Sequence, residues 1–471
     1  MPACLARTSE PCVVVVGAGL AGCEAAWQAA RLGLRVVLYE MRPGTSSPAH
    51  RTADFAELVC SNSLRAGGLT NAVGLLKEEM RRLGSLILRV ADETVVPAGR
   101  ALAVDRLAFS RGITDLLAEE PLIEVRREEV TRLPENEPTI LATGPLTAPS
   151  LADALQDLLG EESLYFYDAI SPIVYADSID HDVVFRASRY EEGEGDYLNL
   201  ALGRPQYTAF VEALLGSETL PLHDCESALF FEGCLPVEEI ARRGPETLAH
   251  GPMKPVGLTD PRTGRRPWAV VQLRQEDKQG VLFNLVGFQT RLRIADQRRV
   301  FRSLPGLSEA VFARYGSVHR NTYVNAPRQL ASNLSLRRRP GLFLAGQMAG
   351  VEGYVESAAL GLLAGIHATC APRGEEPPIP DAATAHGALL RYLTEADAKN
   401  FQPMNVNYGL FPALGPPGRR IPKREKNRRL AERALSALEP YRVWLEGSRR
   451  SSLERVRRSG REEAELNRLT E

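Results

Sequence analysis

Cys12-Val13-Val14-Val15-Val16-Gly17-Ala18-Gly19-Leu20-Ala21-Gly22 decides the fold. A short β-branched run stops at a glycine and opens into an Ala-rich helical pattern over residues 22–32. Residues 35–39 then form a second apolar run that ends at Glu40. This is a βαβ opening. Gly17, Gly19 and Gly22 permit a tight turn, close approach of the backbone to a pyrophosphate and close helix packing. The helix start at Ala18, Leu20 and Ala21 offers N–H donors and the positive end of a dipole. The pattern alone is weak, and its bland reading is a glycine-rich turn that binds nothing. Here a strand precedes it and a helix follows. Glu40 also stands 18 residues after Gly22, where a carboxylate accepts hydrogen bonds from an adenosine ribose. A dinucleotide site is expected.

Working outward, Thr139 to Gly144 reads as a strand running into a turn, followed by a helix from Ser150 to Leu159 with Ser150 as N-cap. Residues from about 165 to 330 are richer in aromatics and proline. They hold alternating segments such as Ala269 to Leu273 and Val281 to Phe288, which suggest antiparallel sheet. Gly341 to Gly346 returns to the buried-strand pattern, and Val355 to His367 follows as an apolar helix. The expected architecture is α/β, a Rossmann-like dinucleotide-binding domain with an inserted α+β domain. Residues 1–165 and 330–440 would form the discontinuous binding domain, 166–329 the inserted substrate domain, and 441–471 a charged tail that is a solvated helix or partly disordered.

The far end of the chain argues for FAD over NAD. Gly346-Gln347-Met348-Ala349-Gly350-Val351-Glu352-Gly353 leads from a strand into a helix and resembles the second flavin motif of two-dinucleotide-fold flavoproteins. N–H groups at such a helix start would stabilise negative charge at the flavin N1/O2 edge. Gly346, Gln347, Glu352 and Gly353 therefore join the candidate cofactor residues. The bland reading is tight packing of a helix on a sheet. No second GxGxxG offers a separate NAD(P)H domain.

Composition excludes several classes. A formal charge of −2 gives no global attraction to nucleic acid, so a polyanion would have to meet a local basic patch. The 7 cysteines are odd in number and lack a CxxC, which fits a reduced, cytoplasmic setting. The Val13 to Val16 run is too short to span a bilayer, and no signal peptide or membrane helix is expected. The 7 histidines form no HxH or HExxH, so no metal site is expected.

Two thiols stand beside small polar or turn-forming residues, in Cys60-Ser61-Asn62-Ser63 and Gly233-Cys234-Leu235-Pro236-Val237-Glu238. By composition alone each is more often a buried small hydrophobe than a catalyst. These two segments occur in one order with Gly17 to Gly22, Gly251 to Gly257, Asn284 to Thr290 and Gly350 to Ser357. Together the six segments, over about residues 12 to 414, resemble the bacterial folate- and FAD-dependent tRNA (uracil-5-)-methyltransferases. The chain ends too early to resemble the longer carboxymethylaminomethyl-uridine enzymes that work with a GTPase partner, and no obligate protein partner is expected.

The resemblance implies transfer of a carbon from 5,10-methylenetetrahydrofolate to C5 of the T-loop uridine of tRNA. Reduced FAD would supply the hydride and NADPH or NADH would recharge it. It also implies Cys234 as the nucleophile that adds to uracil C6, and Cys60 as a second thiol that removes the C5 proton or protects a flavin intermediate. Lys254, Gln289 and Arg291 are weaker folate or substrate contacts. Arg291 stands where many relatives carry a histidine that could stack on the pterin, and a guanidinium can stack there too. Arg337 to Arg339 and the cluster from Arg419 to Arg429 are candidate tRNA phosphate contacts. The target uridine is buried in the tRNA elbow and must be extracted. The competing readings are a small-molecule FAD oxidoreductase, a related wobble-uridine flavoprotein, and a non-catalytic flavin- or RNA-binding protein.

Overall fold

The computed structural model describes residues 12–470, apart from 48, 161–163, 190–194, 221–234 and 416–420. Its first sheet has six strands in the order Ser335–Leu336, Arg339–Leu344, Thr139–Leu141, Cys12–Val16, Arg35–Tyr39 and Ile123–Arg126. The five from Arg339–Leu344 to Ile123–Arg126 are parallel, and Ser335–Leu336 is an antiparallel edge. Cys12–Val16 is buried along its whole length, which is why it reads as an unbroken Val run and not as an alternation. The sheet brings strands from both ends of the chain side by side.

Two helices meet on this sheet, Leu20–Arg31 and Tyr354–Ala368. They pack nearly backbone to backbone: a Cβ at Gly361 would strike the Ala21 backbone, and one at Gly365 the Ala25 backbone. Close packing of this kind needs glycine at the crossing. It also sets the two helix N-termini next to the same end of the sheet, where ligands of doubly wound folds bind.

The chain leaves this body through Leu164–Ala169 and returns through Val318–Tyr323, and these two strands pair antiparallel. Between them lies a second, wholly antiparallel sheet in the order Phe185–Arg186, Tyr197–Leu202, Ala269–Gln275, Leu282–Leu285, Ile173–Tyr175 and Phe312–Arg314. It has its own apolar core, with Phe288 5.9 Å from both Phe210 and Phe301, separate from the core of the parallel sheet.

Two local expectations are corrected. The helix expected from Ser150 spans Pro149–Leu159, with Pro149 at its first position and no side-chain cap, because proline's preset φ suits that site. The charged tail expected over 441–471 is no separate segment: one helix runs Lys423–Thr470 through Pro440. Leu430, Ala434, Leu438, Tyr441 and Leu445 are buried along one face of it. Arg449 donates to Gln28 Oε1 at 2.5 Å and to the Leu83 carbonyl at 2.7 Å. The segment just after Pro440 is therefore part of the main core and not a solvated appendage.

Candidate active site

Gly17 carries the chain out of its strand at φ +99° and donates its N–H to the Tyr39 carbonyl at 2.8 Å. Gly22 admits no side chain, because a Cβ there would collide with the Gly17 carbonyl oxygen. Gly19 differs from both: a Cβ there would meet nothing within 4 Å. That open space belongs to a cleft lined by Gly17, Gly19, Glu40, Gly144, Gly346 and Tyr354, among others. Leu20, Ala21 and Gln347 also line it. Residues 17–22 and 346–354 are thus brought to one cavity from opposite ends of the chain.

Glu40 sits at the cleft wall with its carboxylate already engaged. Oε2 accepts from the Ala18 N–H at 3.1 Å and from Arg42 Nη2 at 3.2 Å. Oε1 accepts from the Arg42 amide at 3.0 Å and from Arg42 Nε at 2.9 Å. Burial pushes the Glu40 carboxyl up, but Arg42 and the Ala18 amide outweigh it and hold the group below the usual carboxylate range. All four acceptor sites are in use. A ribose hydroxyl reaches Glu40 only by sharing or displacing one of these donors. Arg42 is itself 2% exposed and also reaches Glu57 at 3.2 Å.

Across the cleft, Tyr354 opens the second helix. Its hydroxyl accepts the Cys60 N–H at 2.7 Å and lies 2.8 Å from the Cys60 sulfur. Burial, with the charge of Cys60 next, raises the phenol well above its ordinary value, so the hydroxyl keeps its proton. With the oxygen accepting from an amide, that proton is available to the sulfur. Arg106 and Arg314 lie within electrostatic reach of both groups. Arg106 is tied to Glu276 at 2.6 Å and to the Leu58 carbonyl.

The turn after Cys60 is held from the inserted sheet. Arg274, on Ala269–Gln275, donates to Asn62 Oδ1 at 2.9 Å and to Ser61 Oγ at 2.7 Å. Asn62 donates in turn to the Gln275 and Val104 carbonyls at 3.0 and 2.9 Å. A partly buried thiol therefore sits where the two bodies of the molecule meet, against a residue of the nucleotide cleft.

Residues 12–376 match the family described as glucose inhibited division protein A. A methylenetetrahydrofolate–tRNA-(uracil-5-)-methyltransferase TrmFO of Desulforudis audaxviator is 60% identical over 434 residues, covering 92% of this chain and 98% of that protein. The chain belongs to this methyltransferase family. A TrmFO of Geobacter sulfurreducens is 58% identical over 430 residues, 91% of this chain and 98% of that one. Among solved structures, Aquifex aeolicus GidA superposes with a TM-score of 0.65 at 18% identity, covering 91% of this chain and 76% of that one, a likeness of fold.

For a member of this family, the cleft fits FAD. Gly19 leaves open the volume its missing Cβ would fill, and the first residues of two helices line one cavity. Of the other candidate cofactor residues, Ala18 contributes its N–H to Glu40, while Gly22 seats the first helix on the turn. Glu352 is buried and accepts from Gln347 Nε2 at 2.6 Å, so it orients a cleft residue. Gly353 holds φ +106° at the start of the second helix, where a side chain would strike Glu356 and Arg65.

The weaker candidates of this methyltransferase-family chain fall elsewhere. Arg291 is committed to Glu239, which its Nε reaches at 3.1 Å, and its amide donates to Glu238 at 2.8 Å. Its guanidinium is engaged in a salt bridge with Glu239. Gln289 accepts the Val237 N–H at 2.7 Å through its carbonyl. Lys254 is half-buried and accepts from Arg189 through its carbonyl at 2.8 Å. Cys234 lies outside the described residues. Arg337 to Arg339 form the hairpin that links Ser335–Leu336 to Arg339–Leu344. Within the second basic cluster, the exposed Arg428 and Arg429 are paired with Glu425, whereas Lys423, Arg424 and Lys426 are exposed and meet no carboxylate among the described residues. No set of three or more His, Cys, Asp or Glu residues placed to hold a metal occurs among the described residues, and no helix there is long and apolar enough to cross a membrane.

Sequence reasoning missed Arg42, Tyr354 and Arg274. Tyr354 carried a signal, an aromatic hydroxyl directly after the Gly353 turn. Arg42 and Arg274 had none, since each acts through partners that only the fold brings near.

Proposed function

We propose that this chain transfers the methylene carbon of 5,10-methylenetetrahydrofolate to C5 of the T-loop uridine of tRNA, giving 5-methyluridine, with NADPH or NADH as the source of electrons. The observation that carries this reading is the Cys60 thiol held by Tyr354 at the wall of the dinucleotide cleft. FAD, when bound, supplies the hydride that turns methylene into methyl. The N–H groups of Gly19, Leu20 and Ala21 would bind its pyrophosphate, Glu40 its ribose, and residues 346–353 its ring edge.

Uracil C5 is a poor nucleophile. A thiolate that adds to C6 turns the ring into an enolate that attacks an electrophilic carbon through C5. Cys234 is assigned that addition. Cys60 then takes the C5 proton, which breaks the bond from the new CH2 to the tetrahydrofolate nitrogen and leaves a methylene on C5; hydride added there would make it methyl and re-form the C5–C6 double bond as Cys234 leaves C6. Arg106 and Arg314 place positive charge within electrostatic reach of Cys60, and the Tyr354 hydroxyl lies within hydrogen-bond distance of its sulfur.

The test is unmodified tRNA transcript incubated with carbon-labelled methylenetetrahydrofolate, NADPH and the flavin-loaded protein, followed by nucleoside analysis. Label in 5-methyluridine with the wild type, and none with Cys234→Ala, is expected. A folded, flavin-loaded wild type that oxidises NADPH yet leaves the tRNA unlabelled overturns the proposal.

A further inference from the structure

Away from the cleft, residues 260–268 form a turn that carries Arg262, Arg265, Arg266 and Trp268 into the buried Ala269–Gln275 strand. The turn is built and not loose. Asp260 donates its N–H to the Arg265 carbonyl at 3.0 Å, Gly264 donates back to the Asp260 carbonyl at 2.8 Å, and Gly264 takes φ +65°. The Asp260 carboxylate holds Arg262 through bonds of 3.0 and 2.8 Å.

Trp268 is left 37% exposed. Arg204, at the start of the Arg204–Leu215 helix, lies over its ring at 4.8 Å from the centroid. With Arg262, Arg265 and Arg266 they line one groove of about 990 Å³. The nearby carboxylates are Asp260, taken by Arg262, and Glu246, 3.8 Å from Arg204. The guanidinium groups of Arg265 and Arg266 meet no carboxylate among the described residues. This local excess of cations stands out on a chain whose formal charge is −2.

We infer that this groove is a docking surface for the tRNA, taking phosphates on Arg265 and Arg266 and an unpaired base on Trp268. It rests on the tRNA reading above and adds where the RNA is held beyond the reaction centre. Guanidinium forks match phosphate oxygens, and a wet aromatic face beside them is the device by which proteins hold unpaired nucleotides. An acidic protein segment would satisfy the arginines but make no use of the exposed part of the indole. The same strand carries Arg274, one residue before its end, which binds the Ser61–Asn62 turn. Six residues of extended strand place Trp268 roughly 20 Å from Arg274, well within the footprint of a folded tRNA.

The experiment measures binding of a fluorescent unmodified tRNA transcript to flavin-loaded protein over a range of salt concentrations. Arg265→Ala/Arg266→Ala is expected to weaken binding by about 10-fold or more near 0.1 M salt. It should also flatten the slope of log affinity against log salt by roughly 1.5, at about 0.7–0.9 per phosphate. Trp268→Ala is expected to weaken binding by about 10-fold with the slope unchanged, and Trp268→Phe to regain most of that loss. The KM for tRNA rises in each weakened variant while kcat holds. The fully exposed single change Arg265→Glu serves if the double variant does not fold. Variants that methylate tRNA and bind it with wild-type affinity and slope overturn the groove assignment. A wild type that binds the transcript without methylating it defeats the proposed function instead, and the groove is then judged on the same binding comparison.

Discussion

The Tyr354 hydroxyl touches Cys60 twice, accepting its amide N–H at 2.7 Å and lying 2.8 Å from its sulfur, across 294 residues of sequence. The first turn of the flavin-side helix is thereby tied to the thiol turn.

Tyr354→Phe keeps the ring that lines the cleft and removes the hydroxyl that lies 2.8 Å from the sulfur. A hydrogen bond to a charged group is worth about 1.5–3 kcal/mol. The expected result is a fall of about 10-fold or more in the rate of Cys60 alkylation at neutral pH, with flavin content retained. Unchanged alkylation, followed by mass spectrometry of the Cys60 peptide, would show that the hydroxyl serves the backbone only.

Gly19 and Gly22 separate ligand from fold. Gly19→Ala adds a methyl into open space, so apoprotein stability should shift by less than about 1 kcal/mol, while FAD affinity drops by about 10-fold or more. Gly22→Ala forces a methyl into the Gly17 carbonyl and should destabilise the apoprotein itself by about 1–3 kcal/mol or more. Absorbance of bound flavin and urea titration of the apoproteins distinguish the two.

His367 is fully buried, and burial lowers its pKa from 6.5 to about 4. Below pH 6.5 the unfolded chain binds a proton that the folded chain refuses, so the unfolded state gains as pH falls. Over the window from 6.5 to 4 this group should cost the fold about 3 kcal/mol. In His367→Gln that part of the pH slope disappears, whatever the variant's absolute stability. Denaturation midpoints at several pH values check it, and parallel slopes for the two proteins would refute it.

Leu438, in the middle of the Lys423–Thr470 helix, is fully buried against the main core. Leu438→Ala should cost about 2–5 kcal/mol. A solvated helix would lose almost nothing, so a single unfolding curve tells docking from decoration.

The βαβ opening and the flavin-side strand and helix were legible because each is a local pattern whose meaning survives without its neighbours. The Val run, the glycine spacing and Glu40 needed only a window of about thirty residues. Glu40 also shows the limit. Its position at the strand end was readable, but its full engagement by Arg42 and the Ala18 amide was not, because that depends on how the turn after the strand folds back. Arg291 was legible as a cation in its segment, but its salt bridge to Glu239, 52 residues away in sequence, was not. For the C-terminal helix the signal was present and outweighed: Leu430, Ala434, Leu438, Tyr441 and Leu445 recur at helical spacing, but the abundance of Arg and Glu between them reads as solvated surface.

Arg274 has a consequence for how the reaction centre is assembled. Ser61 and Asn62 belong to one half of the molecule and take their donors from a guanidinium rooted in the other. The sulfur next to them is therefore surveyed from two benchmarks at once. Any rotation that parts the halves by more than a bond length unhooks the loop that carries it, so the position of the Cys60 sulfur is only as steady as that junction.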